Sequence, residues 1–297
     1  MTMTDPAMAA TPRAANDSLP ERLPINAVPV RHWKQWIAAA ILIVLLAATL
    51  LSLATNDNIH YPTIGEYLFN PSILKGLGVT FQLAIIAMLA GIVIGILVAV
   101  ARMSTNRVLN AVAEGYIWLF RGVPLLVQLL LFGNFALLAP ELGIAIPFTD
   151  TVLLGMDTNK IITPFVAAIL ALSLHEGAYM AEVVRGGILA VDKGQSEAAT
   201  AVGMTRGLAM RRIVLPQALR VIIPPTGNQF ITLLKATALV AVIAGHDLMS
   251  TAQNISAQNY RTIELLLVAS VWYLAIVSIL SFLQRMLERR LSRGVER

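Results

Sequence analysis

The chain contains no cysteine, and of its 297 residues only 13% are charged. Without thiols there is no disulfide, no thiolate metal site and no cysteine nucleophile, and the redox compartment stays open. There is no G-x4-G-K-[ST] loop either, so the chain does not cradle nucleotide phosphates by that device. The formal charge of +5 and an isoelectric point near 9.7 come with no nucleic-acid motif. What is abundant is apolar: 57% hydrophobic residues and a mean hydropathy of +0.73 exclude an ordinary soluble domain and predict a polytopic membrane protein.

Residues 1–35 show no apolar periodicity and read as a mobile tail. Residues 36–54 form an uninterrupted apolar run, long enough to cross a core of ~30 Å. A retained anchor fits better than a cleaved signal, although Ser52-Leu53-Ala54 leaves cleavage open. Further apolar runs at 78–101, 116–139, 161–185, 221–245 and 263–282 complete a prediction of six transmembrane helices, an N-terminal anchor followed by a five-helix core. Gly91 and Gly95 stand in G-x-x-x-G spacing, which lets another helix approach closely, either within the subunit or across a dimer seam. Pro124 is expected to break the third run near its entry, and Pro224-Pro225 to interrupt the fifth. Residues 140–160 and 246–261 read as loops, and 286–297 as a basic tail.

Of the 22 Lys and Arg residues, 18 fall on the face that carries the 192–220 segment and both termini, against 3 on the other. The positive-inside rule makes that face cytoplasmic. The 192–220 segment is too polar for a bilayer. It suits two short helices joined at Gly203, with Pro216 restarting the chain into the next span.

Inside it, Glu197-Ala198-Ala199, three residues, Gly203, nine residues, Ile213, one residue, then Leu215-Pro216 match E-A-A-x3-G-x9-I-x-L-P at all seven fixed positions. On these residues the chain resembles the membrane subunit of bacterial ABC importers. Arg121-Gly122-Val123-Pro124, Gly177 through Ile188, Lys193-Gly194-Gln195, Pro216-Gln217-Ala218 and Asn228-Gln229-Phe230 narrow the resemblance to permeases for polar amino acids, over a core spanning 73–285. The resemblance implies that Glu197, Ala198, Ala199, Gly203, Arg206, Ile213, Leu215 and Pro216 form a coupling surface on separate ATPase subunits. It also implies a second permease subunit, identical or homologous, and an extracytoplasmic amino acid binding protein. ATP and Mg would be bound by the ATPase, and this chain would hold no cofactor, no metal and no catalytic residue. Glu197 is expected to orient the coupling helices by local hydrogen bonds, and Arg206, Arg211 and Arg212 to meet acidic groups of the ATPase or lipid phosphates. The segment Lys235-Ala236-Thr237-Ala238-Leu239 departs from relatives, which commonly carry further polar residues there.

Ionisable residues inside a membrane are costly and usually face a cavity or a partner. Counting helical rise from the predicted span ends, Gln128, Glu176 and Asn228 fall about 10–15 Å in, so these groups are expected to meet near mid-membrane. His175, Glu176, Asn228 and Gln229 are therefore candidates to line a substrate path with Gln128 and Tyr179. Glu176 would oppose an ammonium group, or else pair with His175 or a neighbouring helix as structural glue. Glu182 and Arg185, three residues apart, suit a structural ion pair. The competing function is an ion-coupled secondary carrier with His175 and Glu176 as a proton relay, and a third is a membrane adaptor without flux.

Overall fold

A computed structural model describes residues 33–145 and 152–292. The predicted tail lies outside the described residues apart from its last three, as does the end of the basic tail. Residues 33–57 and the chain from 58 onward are two separate units. The first consists of α1 (Trp33–Ala54), apolar and exposed on every side. Such a helix satisfies its own backbone and offers hydrocarbon all round, which suits lipid as its solvent.

The second unit opens with α2 (Tyr61–Leu68) and α3 (Pro71–Arg102). Asn70 caps α3 by accepting a hydrogen bond from the Ser72 amide at 2.9 Å. Then come α4 (Arg107–Gly122) and α5 (Leu125–Gly133), bent by 98° at their junction. Counted as one broken span, the pair joins five long apolar helices in matching the predicted six.

The expected loop at 140–160 instead carries a hairpin, β1 (Glu141–Ala145) antiparallel to β2 (Val152–Asp157), before the short α6 (Thr158–Ile161). Its base is closed by the Thr158 amide, which donates to the Pro140 carbonyl at 2.9 Å. The protein is thus helical with one two-stranded exception among the described residues, where the all-α expectation missed a local pairing.

The helix α7 (Pro164–Leu189) is the centre of the bundle. It runs parallel to α3: Gly91 faces Glu176 and Gly177, and Gly95 faces Met180 and Ala181. A β-carbon on Gly91 would lie 2.9 Å from Glu176 Cβ, so the glycine pair serves packing within the subunit. On α7 itself, Gly177 receives Ile94 and Gly187 receives Ile222. Leu83, Ala87, Leu129, Leu172 and Met180 fill the core between them.

The segment after α7 forms α8 (Lys193–Ala201), a turn at Gly203, and α9 (Arg206–Ala209). Contrary to expectation, Pro216 does not restart the chain. A π turn over Met210–Val214 carries α9 directly into α10 (Leu215–Ala236), with the Leu215 amide bonded to the Met210 carbonyl. Widening the helix by one residue absorbs the donor that proline lacks. Nor do Pro224 and Pro225 interrupt α10; both lie inside it. Proline's fixed φ is already helical, so two missing donors weaken the turn without ending it. The helix departs from α geometry only at Thr237–Ile243, a 3₁₀ stretch that stops at Ala244 with φ +54°.

The expected loop at 246–261 is α11 (Leu248–Asn259), capped by Asp247, whose carboxylate accepts from the Met249 amide at 3.0 Å. Burial pushes the Asp247 carboxyl up from its ordinary value, opposed by hydrogen bonds from Ser250 and Met249. Finally α12 runs Thr262–Ser292, so the first half of the predicted basic tail is helix. Its Arg285, Arg289 and Arg290 ride on an exposed helical face.

Candidate functional site

Three polar joints connect the helices of the bundle. The first begins with proline chemistry. Pro124 has no N–H to give the Phe120 carbonyl, and the 98° bend also turns the Val123 carbonyl away from a helical partner. Gln128 Nε2 fills both places, at 2.9 Å from Phe120 O and 2.8 Å from Val123 O, and lies 3.2 Å from His175 Nδ1. An amide nitrogen has two hydrogens, which the Phe120 and Val123 carbonyls already engage, with the role of His175 Nδ1 set by the tautomer of its ring. Gln128 Oε1 is buried without a partner. The glutamine predicted as a path residue thus splints the α4–α5 bend.

Around it, the Tyr116 hydroxyl donates to the Leu174 carbonyl at 2.6 Å. The His175 and Tyr179 rings lie 5.0 Å apart, and the Arg121 guanidinium sits 5.1 Å from the Tyr179 ring centroid. Tyr116 was not singled out from sequence, because nothing in its spacing marks a hydroxyl that reaches another helix.

The second joint is Glu176. It is 2% exposed, buried where α3, α7 and α10 meet, and its carboxylate lies beside the Gln229 side chain of α10. One oxygen, Oε1, has no partner, and neither does the buried Ser173 hydroxyl one turn earlier on the same face. Gly91 makes room for this carboxylate on α3. His175 and Glu176 are not a pair: one turns to Gln128 and the other to Gln229. A proton relay between the two has no geometric basis here.

The third joint takes Asn228 out of the predicted cluster. Its Nδ2 donates to Glu288 Oε1 of α12 at 3.2 Å, on a different face of α10 from the one that meets Glu176. Adjacent residues on a helix point about 100° apart, so Asn228 and Gln229 serve different neighbours. Residues 284 and 288 were placed at the edge of a tail from sequence. Only the tertiary contact reveals them.

At the end of the bundle where α7 leads into α8, the expected Glu182–Arg185 pair forms at 2.8 Å. Glu182 also meets Arg102 at 3.7 Å, and Arg102 meets Glu114 at 3.2 Å. These pairs tie α3, α4 and α7 together beside the 192–216 motif. Lys235 is exposed in the last turn of α10, where helix carbonyls favour a cation.

Within the motif, Asp192 caps α8 by accepting from the Gly194 amide at 2.6 Å. Gly203 has φ +84°, a left-handed turn as its residue type suggested. Ala199 is 2% exposed and anchors the turn, while Ala198, Arg206, Leu215 and Pro216 are exposed and Ile213 is half-buried. Glu197 does not orient the helices as expected. It stands exposed in a shallow depression with Ser196, Thr200 and Ala201, and among the described residues its carboxylate has no hydrogen bond. The link between α8 and α10 is instead Gln217, whose Nε2 donates to Ile213 O at 3.0 Å and to Gln195 Oε1 at 3.5 Å.

Residues 91–293 match the family model described as binding-protein-dependent transport system inner membrane component. The chain is 41% identical over 275 residues to the arginine transport system permease protein ArgU of Corynebacterium glutamicum, covering 92% of this chain and 85% of that one. It is 37% identical to the glutamine transport system permease protein GlnP of Escherichia coli K12, covering 74% and 93%. Among solved structures, an amino acid ABC transporter crystallised with histidines matches with a TM-score of 0.67 and 36% identity, over 78% of this chain and 99% of that one.

Proposed function

The chain belongs to the binding-protein-dependent inner-membrane permeases of ABC importers, and on that premise we propose how it carries a polar amino acid and draws work from ATP hydrolysed elsewhere. The observation that carries this reading is the continuity of α9 with α10. An exposed motif around Gly203 leads through an unbroken helical rod to Gln229, which lies beside the buried Glu176.

Motion applied to α8 and α9 would be delivered directly to the polar joint between α10 and α7. ATPase subunits would hold the nucleotide and Mg²⁺ and grip the surface formed by Glu197, Ala198, Gly203, Arg206 and Pro216, with Ala199, Ile213 and Leu215 setting its shape. That surface and both chain termini would face the cytoplasm, where 18 of 22 basic residues lie. In the conformation described, Glu176 is closed inside the bundle, so solute reaches it only when α10 parts from α7. The free Glu176 Oε1, the Ser173 hydroxyl and the Gln229 amide would then be presented to an amino acid, the carboxylate opposing its ammonium or a basic side chain. His175 and Tyr179 would border the same space. A second permease completes the path, and a binding protein delivers the solute on the opposite face.

The substrate preference named for the relatives, arginine or glutamine, makes both the first solutes to test. Replacing Glu176 with glutamine keeps the side chain's size and an acceptor oxygen and removes the charge. In proteoliposomes containing the whole importer, Glu176→Gln is expected to raise the apparent KM for arginine about 10-fold, the scale of one lost charge-assisted contact, and to affect glutamine less. Unchanged uptake and selectivity for both solutes, with the complex intact, would remove Glu176 from the path.

A further inference from the structure

Gln284 and Glu288 lie on α12 and belong to no part of the transport reading above. Gln284 Nε2 donates to the Pro224 carbonyl at 2.9 Å and to Glu288 Oε1 at 2.8 Å. The same Glu288 oxygen accepts from Asn228 at 3.2 Å. Gly227 lies between them, and any β-carbon there would run into the Gln284 amide. So the polar contact of α12 with α10 forms where Gly227 leaves room for Gln284, beside the apolar packing of Leu234 against Ile276.

That turn is also the weakest of α10. Pro224 and Pro225 leave the carbonyls of Arg220 and Val221 without their helical donors, so bending there costs fewer hydrogen bonds than anywhere else along the rod. One face of the turn is fastened to α12 through Glu288, and the residue after Asn228, Gln229, lies against the buried Glu176 of α7. A weak turn held from two sides is a joint with a defined resting angle.

We propose that Glu288, with Gln284, is a latch that holds α12 against the proline turn of α10 and thereby sets the resting position of that turn as a hinge between the α8–α9 surface and the rest of the bundle. The inference rests on the importer reading for its consequence, uncoupled ATP hydrolysis, and on the contacts alone for its geometry. Releasing the latch lets the lower half of α10 swing without solute, so hydrolysis proceeds with less transport. Glutamine at 288 keeps an acceptor oxygen of the same reach, whereas alanine abandons both donors.

Because the chain has no cysteine, spin labels can be placed without background. Labels at Leu219→Cys on α10 below the prolines and Leu274→Cys on α12 above the latch, both exposed, report the hinge by pulsed electron resonance in nanodiscs. Glu288→Ala is expected to broaden the resting distance distribution, and Glu288→Gln to leave it as in the parent. Adding Pro224→Ala and Pro225→Ala to Glu288→Ala should narrow it again by restoring the helix. In the assembled importer, Glu288→Ala should raise solute-independent ATP hydrolysis about 3- to 10-fold. An unchanged resting distribution in Glu288→Ala overturns the latch, as does equal broadening in Glu288→Gln. If the latch behaves as stated in the isolated chain but no ATPase binds it, the importer reading fails and the latch stands.

Discussion

Substituting Gly203 with valine is expected to cut solute uptake about 10-fold or more while leaving the membrane bundle folded. The reason is confined to the backbone. Gly203 has φ +84°, and no atom lies within 4 Å of where its β-carbon would be, so there is nothing for a side chain to strike. A left-handed residue costs roughly 1–2 kcal/mol for an ordinary side chain and more for a β-branched one, and each 1.4 kcal/mol is a factor of ten in population. The strained turn would reopen, separating α8 from α9 and spoiling the surface offered to an ATPase. Asparagine tolerates the left-handed region, so Gly203→Asn should keep uptake within about 3-fold of the parent. Uptake measured beside co-purification of the ATPase makes the test specific. If valine and asparagine behave alike, the turn geometry is not what the partner reads.

The second large effect is expected at Gly95, on stability rather than coupling. A β-carbon there would fall 2.9 Å from the Ala181 amide nitrogen and from the Met180 carbonyl carbon, backbone atoms of α7 that cannot rotate aside. Gly95→Val must therefore push α3 off α7. Overpacking of this kind costs about 1–3 kcal/mol where side chains can yield, and the upper part of that range applies where backbone is struck. The shift should reach Glu176, since Gly91 one turn away packs against its Cβ and Cγ. The measurement is thermal unfolding in detergent, followed by monodispersity on a sizing column, with a lowered midpoint and loss of the monodisperse peak expected. Gly78→Val, on the same helix with open space at its β-position, is the control and should leave stability unchanged or slightly raised, since valine is the better helix former by roughly a few tenths of a kcal/mol. Equal loss in both would mean that the α3–α7 approach is not the limiting contact.

Both substitutions touch glycines, and the sequence spoke about each with different authority. Gly203 was legible from its place in a polar motif, because a left-handed turn is a property of the backbone itself. Gly91 and Gly95 announced a close approach but not the helix approached. Spacing along one helix carries no information about what lies opposite, and only the folded bundle shows α7 there.

The polar residues divide in the same way. Glu182 and Arg185 were predicted as a pair and form one, being neighbours on a single helix face. His175, Glu176, Asn228 and Gln229 were predicted to meet; Glu176 and Gln229 do come together between α7 and α10, whereas His175 turns to Gln128 of α5 and Asn228 to Glu288 of α12. Depth counted along a helix says how far a residue sits into the membrane, and nothing about its azimuth relative to neighbours. Glu197 was expected to bond locally and is instead exposed, with no hydrogen bond of its carboxylate among the described residues.

What the sequence alone determined is what one-dimensional quantities fix: apolar runs of spanning length, the face that carries the basic charge, the helix break at Pro124, and the spaced motif that marks the family. The tertiary structure decided what depends on two elements at once. Gln128 splints a bend because Pro124 leaves a carbonyl without its donor; α9 continues into α10 because a π turn absorbs Pro216; Glu288 joins α10 because Gly227 leaves space. Hydropathy and spacing are summed along the chain, whereas a buried polar group finds its partner across it. That partner is chosen by which helices can approach, and closeness of approach is set by the small residues of both.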